Sequence, residues 1–240
     1  MNLKQIITEK FGSLSEEQFK YIESTDINRA SEVRDNISGI YMEASVVYLG
    51  IKSISAVVKE NGRRRTALAY AMIHDVAEAI AKQNEGFVNC YSSESFLIVF
   101  PGKDAANNAA VKASLQIAGA LYNTFRDQLS AVANLEFAMG IDHGHIMGTR
   151  NASDNGPGHL TWFGSTISKA KRISFECARP FHVGLSSIVF HNIDDDLKTT
   201  QRRIIGIKRT VDMWTKLSYT YENDKKHLYQ TNHKIDIEEE

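Results

Sequence analysis

The chain has almost no excess of charge. Its 28 lysines and arginines stand against 29 aspartates and glutamates, leaving a formal net charge of −1. No field of one sign exists to gather nucleic acid or an anionic membrane surface. Long apolar runs are missing too: none approaches the roughly 20 residues that a membrane helix needs. The start, MNLKQIITEKFGSL, is a charged amphipathic pattern and not a secretory signal. Cysteine is scarce, with only Cys90 and Cys177, both in apolar surroundings. Two lone thiols are too few for a disulfide framework or a zinc site and read as reduced, buried groups of a cytoplasmic protein. Internal repeats and low-complexity tracts are absent, which excludes solenoids and arrays.

What is present is the material of one domain with extensions: 240 residues, 42% of them hydrophobic. Residues 1–40 are polar and helical in pattern. Ser15-Glu16-Glu17-Gln18-Phe19 offers a hydroxyl cap before a helical run with Phe19 and Ile22 on one face. This segment is expected to be an N-terminal helical arm. Ser45–Ile51 is a β-branched run and a central strand candidate. Thr66–Lys82 carries Leu68, Met72, Ile73, Val76 and Ile80 at helical spacing, closed by Glu85-Gly86. Phe87–Tyr91 and Phe96–Phe100 form a hairpin around a polar tip at 92–95. Ala106–Arg126 is an alanine-rich helix, Leu135–Ile146 a strand pair, and 149–158 a polar loop. A strand and a helix at 165–176 follow, then a strand at 181–184 and a short helix or turn at 186–192. Residues 200–240 carry a residual strand pattern before an acidic tail. The order β-α-β-β-α-β-β-α-β is an enlarged ferredoxin-like α/β (α+β) arrangement, a mixed sheet flanked by helices.

Two segments carry a specific resemblance. Gly140-Ile141-Asp142-His143-Gly144 lies on a strand, and Trp162-Phe163-Gly164-Ser165-Thr166-Ile167-Ser168-Lys169-Ala170-Lys171-Arg172 runs from strand into helix. Together they resemble the class III nucleotide cyclase catalytic domain, and most of all the bacterial pyrimidine cyclases of Pycsar antiphage defence. The resemblance covers residues 42–215 and leaves 216–240 as a C-terminal extension. It implies closure of a nucleoside triphosphate onto its own ribose 3′-hydroxyl with release of pyrophosphate. Two carboxylates would hold two divalent ions, Mg²⁺ or Mn²⁺. An Asn and an Arg from a second subunit, packed head to tail, would orient the ribose and stabilise the α-phosphate.

Laid on this chain, the resemblance puts the first metal carboxylate at Gly50, which has no ligand to offer. The second falls on Glu94, whose extra methylene shifts its oxygens by about 1.5 Å from the Asp position. The ribose-orienting Asn is Ser168, and the charge-stabilising Arg is kept as Arg172. Base recognition would fall to Cys90 and Thr161, a pair that does not look adenine-selective. Lys52 and Ser53 lie in the turn that contacts phosphates in the family, where a lysine could stand in for one ion. Ser165 opens the helix and would meet an anion or cap the first turn, capping being the default. Each position also has a plain reading. Arg172 is a surface ion-pair partner, Glu94 a solvated turn residue, Lys52 a loop lysine, and Arg63-Arg64-Arg65 a solvated patch. Asp142 beside His143 is an acid–base pair or, the favoured reading, a structural residue. His145 and His159 stand alone.

Loss of one well-placed charge-stabilising group costs about 2.7–4 kcal/mol of barrier lowering, or roughly 10²–10³ in rate. Several such losses point to a cyclase homologue that is weak or inactive and keeps nucleotide or partner binding. The alternative is an active cyclase making cUMP or cCMP. A head-to-tail homodimer is expected, or a heterodimer in which this chain completes the site of a metal-bearing cyclase.

Overall fold

A computed structural model describes residues 2–12, 19–34, 37–52, 54–92, 94–132, 135–150, 160–177, 179–204 and 207–237. In chain order, α1 (Leu3–Gly12) and β1 (Lys20–Glu23) precede a 3₁₀ turn at Ile27–Glu32 and the long strand β2 (Ser38–Lys52). Then come α2 (Ile54–Asn61), α3 (Arg63–Gln83), the hairpin β3 (Phe87–Ser92) and β4 (Ser95–Pro101), and α4 (Asp104–Gly119). A π turn at Ala120–Thr124 leads into α5 (Arg126–Val132) and the long strand β5 (Glu136–Thr149). They are followed by β6 (Thr161–Phe163), α6 (Ser165–Glu176), β7 (Val183–Ser186) and α7 (Ser187–Asn192). The chain closes with β8 (Thr199–Ile204), β9 (Ile207–Asp212), β10 (Thr215–Tyr221) and β11 (Asp224–Thr231).

The expected mixed sheet is there, with helices on both faces. Its order is β10-β11-β7-β5-β2-β4-β3, with β1 alongside β2 and β6 alongside β5. Pairs β1–β2 and β5–β7 are parallel and the others antiparallel. β2 is central because its apolar run can be buried twice over. Val47 and Leu49 pack with α3 and α4, while Val46 and Tyr48 pack under α6 with Ala170 and Trp162. Helix α3 sits on the first face through Ala69, Ile73, Ala77, Ile80 and Ala81; of the expected face, Ile73 and Ile80 are buried while Leu68 is 54% exposed. Among the described residues, no helix is long and apolar enough to cross a membrane.

Several elements differ from expectation. The expected strand pair at 135–146 is one continuous strand, because β5 finds a partner along its whole length, from Gly39↔Thr149 to Lys52↔Glu136. β6 pairs separately with the far end of β5. The arm at 1–40 is not helical throughout. Ile22 lies in β1, which adds a parallel strand to β2, and the capped helix sought at 15–19 falls mostly on residues 13–18, outside those described. The long helix at 106–126 is interrupted by the π turn. The residue that turns α3 off is Glu85, at φ 62, not Gly86. Gly86 serves packing: a Cβ there would come 2.5 Å from the Phe100 ring. Finally, 216–240 is no appendage to the sheet, since β10 and β11 extend it through β11–β7 pairing. The acidic tail falls largely on residues 238–240, outside the described chain.

Candidate functional site

The end of β2 and the tip of the β3–β4 hairpin meet. Gly50 is opposite Ser95, and the Ile51 N–H donates to the Glu94 carbonyl at 2.8 Å. The tip is tied by the Ser92 and Ser95 hydroxyls, 2.8 Å apart, and by the Glu94 N–H donating to Ser92 Oγ at 3.2 Å. The structure therefore brings positions 50 and 94 together. The Glu94 side chain is exposed, while Gly50 is buried. A Cβ on Gly50 would come 3.0 Å from Ser174 Oγ on α6 and 3.3 Å from Tyr48 Cε1. That space is held, because Ser174 Oγ donates to the Ala138 carbonyl at 2.8 Å. Among the described residues, no group of three or more His, Cys, Asp or Glu side chains converges to hold a metal ion. Of the two positions that the resemblance assigns to metal carboxylates, one is Gly50 and the other Glu94.

Lys52 sits at the last position of β2, opposite Glu136. Its ammonium donates to the carbonyl of Cys177, the residue that closes α6. A cation at a helix C-terminus is favoured by the unpaired carbonyls there. Lys52 also borders a cleft of about 360 Å³, with Glu60, Glu136 and Arg179 on its walls. Ser53 lies outside the described residues.

Helix α6 carries the other half. Ser165, Ser168 and Arg172 follow one another at three- and four-residue spacing, so they share one exposed face. Arg172 pairs with Glu176 at 2.5 Å, one turn on. Ser165 does not cap the helix, contrary to the default expectation. The cap position is Gly164, at φ 149, which has no side chain to bond the first-turn amides. Thr161 is the first residue of β6, exposed and opposite Thr149. Cys90 is in β3 opposite Phe96, next to a bulge. Gly50 faces Ala138 near the start of β5, whereas Thr161 faces Thr149, eleven residues further along. That is about 36 Å of strand. A single chain therefore does not gather Thr161 with Gly50 and Glu94.

Asp142 and His143 do not form an acid–base pair, because neighbouring residues of a strand point to opposite faces. Asp142 is 2% exposed, and its Oδ2 has no partner among the described residues. Burial pushes its carboxyl above the usual range, opposed by a bond to Ser186 and by Lys169. His143 lies on the α4 side, with Nδ1 3.0 Å from Ser45 Oγ and Nε2 3.3 Å from Glu43 Oε1. Ser45 Oγ lies 3.1 Å from the Asn107 amide, whose Nδ2 has no partner as oriented. Turning that amide lets Nδ2 donate to Ser45, Ser45 to His143 Nδ1, and Nε2–H to Glu43, with Asn107 Oδ1 then taking the unpartnered position. Spacing alone did not reveal this relay, because Ser45 and His143 are 98 residues apart. His145 stacks on Tyr41 at 5.0 Å, and His159 lies outside the described residues. Cys177 is a buried free thiol, pushed up to about 12 by burial, so it stays protonated.

No protein-family model matches the chain, and no curated protein matches it. Solved structures do. The guanylyl cyclase Cya2 superposes with a TM-score of 0.66 at 11% identity, over 81% of this chain and 94% of that one. The adenylyl cyclase CyaB from P. aeruginosa gives 0.64 at 15%, over 83% and 97%. A class III adenylyl cyclase-like ATP-binding protein from Pseudomonas aeruginosa gives 0.64 at 14%, over 82% of this chain and 45% of that one. At such identities the likeness is one of fold: the chain has the fold of class III nucleotide cyclase domains.

Proposed function

We propose that this chain binds a nucleoside triphosphate on a class III cyclase fold and turns it over weakly or not at all, as a Pycsar-like homologue of antiphage signalling. One observation carries the reading. The place of the first metal carboxylate is a buried glycine whose side-chain space is crowded by Ser174 and Tyr48. An ATP-binding protein described as adenylyl cyclase-like shares the fold, so binding on it need not bring an identified cyclase activity. The exposed face of α6 supports a second chain as partner. It presents Ser168 and Arg172 together with Phe175, 58% exposed, and Phe163 of β6 adds a side chain 50% exposed. A head-to-tail copy, or a metal-bearing cyclase chain, would receive Arg172 in its own site.

The test is incubation with each of the four nucleoside triphosphates and Mg²⁺ or Mn²⁺, with chromatography of products and a parallel thermal shift. Stabilisation by a triphosphate with no cyclic product is the expected result. A cUMP, cCMP or purine product that disappears in Arg172→Ala would overturn the claim of weak or absent turnover. No stabilisation by any triphosphate would overturn the claim of binding.

A further inference from the structure

A second cavity adjoins the Lys52 cleft, sharing Leu135 and Arg179 with it, where the end of α4, the π turn, α5 and the C-terminal segment meet the start of β5. Its volume is about 370 Å³, within the range of small-molecule pockets, and larger than one oxyanion needs. Tyr122, Arg126, Ser130, Phe137, Arg179 and Lys234 are among its walls. Three of these are cations, and among the described residues no carboxylate lines the space. Arg179 is paired with Glu136, and Asp236 at the rim accepts from Asn123 at 2.6 Å. Arg126 makes no ion pair or hydrogen bond among the described residues. Lys234 makes no ion pair there; it lies 5.8 Å above the Tyr122 ring and reaches the Asn232 carbonyl at 3.5 Å.

The walls rest on features that do not favour a plain helix. The π turn widens the end of α4, closing with the Phe125 N–H on the Ala120 carbonyl, and single π turns recur at functional sites. Gly119, costly inside a helix by ~1 kcal/mol, admits the C-terminal segment. A Cβ there would lie 2.0 Å from the Ile235 carbonyl. The Ile235 N–H donates to Leu115 at 3.1 Å, which seats Lys234 at the cavity. Tyr122 is locked by stacking on His182 at 3.9 Å and on Phe137 at 4.5 Å, and its hydroxyl donates to the Phe137 carbonyl at 3.1 Å. The positive field registers on His182, whose imidazole is pushed down to about 4 by burial, Lys234, Arg179 and Lys52.

We propose that this cavity binds a small multivalent anion, a phosphorylated or polycarboxylate metabolite, held by Arg126 and Lys234 on the side of the cavity away from Lys52. Arg126 and Lys234 are its cations without an ion pair among the described residues, and a guanidinium fork suits either oxyanion. Calorimetric titration of the full chain with inorganic pyrophosphate, and separately with citrate, tests it and tells the two sources apart. Saturable binding of at least one probe is expected. It should weaken by about tenfold or more in Arg126→Glu and in Lys234→Gln, and persist in Lys52→Ala. Arg126 is exposed, so its variant should melt like the parent. No binding of either probe would overturn the proposal. So would binding that survives both cavity variants or that is lost only in Lys52→Ala, which would place the anion on the β2 loop. Triphosphate binding is read independently, so failure here leaves the nucleotide reading standing.

Discussion

A carboxylate at position 50 would have to share its space with Ser174 and Tyr48, whose nearest atoms lie 3.0 Å and 3.3 Å from where its Cβ would stand. Tyr48 is a buried ring, 4% exposed, and Ser174 is tied to Ala138. Gly50→Asp should therefore lower stability by ~1–3 kcal/mol, the usual cost of overfilling a packed site. Adding Ser174→Ala removes the nearest atom and should recover part of that loss, so the two substitutions will not be additive. Urea midpoints of the four chains check this; a neutral Gly50→Asp would show that the space is open. His182 offers a pH test on the same scale. Its folded pKa of about 4 lies below the ordinary 6.5, because burial and nearby cations disfavour the imidazolium. The unfolded chain binds a proton that the folded chain refuses. This contribution is present above 6.5 and is lost as pH falls toward 4. His182→Phe keeps a ring against Tyr122 and should flatten the fall in urea midpoint across that window. An unchanged slope would mean that His182 is not held neutral.

At the scale of elements, α6 has its position because two strands offer it bare backbone. Gly140 of β5 and Gly184 of β7 are register partners beneath it. A Cβ on Gly140 would lie 2.1 Å from the Ala170 carbonyl and 2.3 Å from the Ser174 nitrogen. On Gly184 it would lie 2.5 Å from Cys177 Sγ. Since the obstacles at Gly140 are backbone atoms, Gly140→Ala has to lift the helix. It should cost at least the upper end of the ~1–3 kcal/mol overpacking range, read as a fall in melting temperature. Gly12→Ala, with nothing within 4 Å, is the control that should change little. The same glycines explain what the sequence showed and hid. Helices α3 and α6 and the β3–β4 hairpin were legible, because apolar spacing and a polar tip are local signals. The stretch around Gly140 and Gly144, expected as a strand pair, is one strand whose two glycines make room for α6. Spacing placed Ser165, Ser168 and Arg172 on one face. It could not show that Lys52 reaches a carbonyl 125 residues away, nor that β1 joins β2.

At the scale of the whole molecule, the last quarter of the chain finishes a sheet begun near residue 20. β11 lies between β7 and β10, so it pairs on both sides. Leu228 in β11 is fully buried against Ile173 of α6 and Tyr219 of β10. The His182 N–H donates to the Thr231 carbonyl at 3.0 Å, and Thr231 Oγ1 donates to the Met213 carbonyl at 2.5 Å. Beyond β11, Ile235 is bonded to Leu115 of α4. Cutting at residue 215, where the cyclase resemblance ends, would unpair β7 along one edge and strip the C-terminal half of α6 of its cover. An exposed edge with fresh apolar surface invites aggregation. The 1–215 chain should therefore show no cooperative thermal transition and little near-UV circular dichroism, while the full chain shows both. A 1–215 chain that melts cooperatively would return 216–240 to the status of an extension. It would also remove Lys234, making the truncated protein a direct test of whether the anion cavity needs the C-terminal segment.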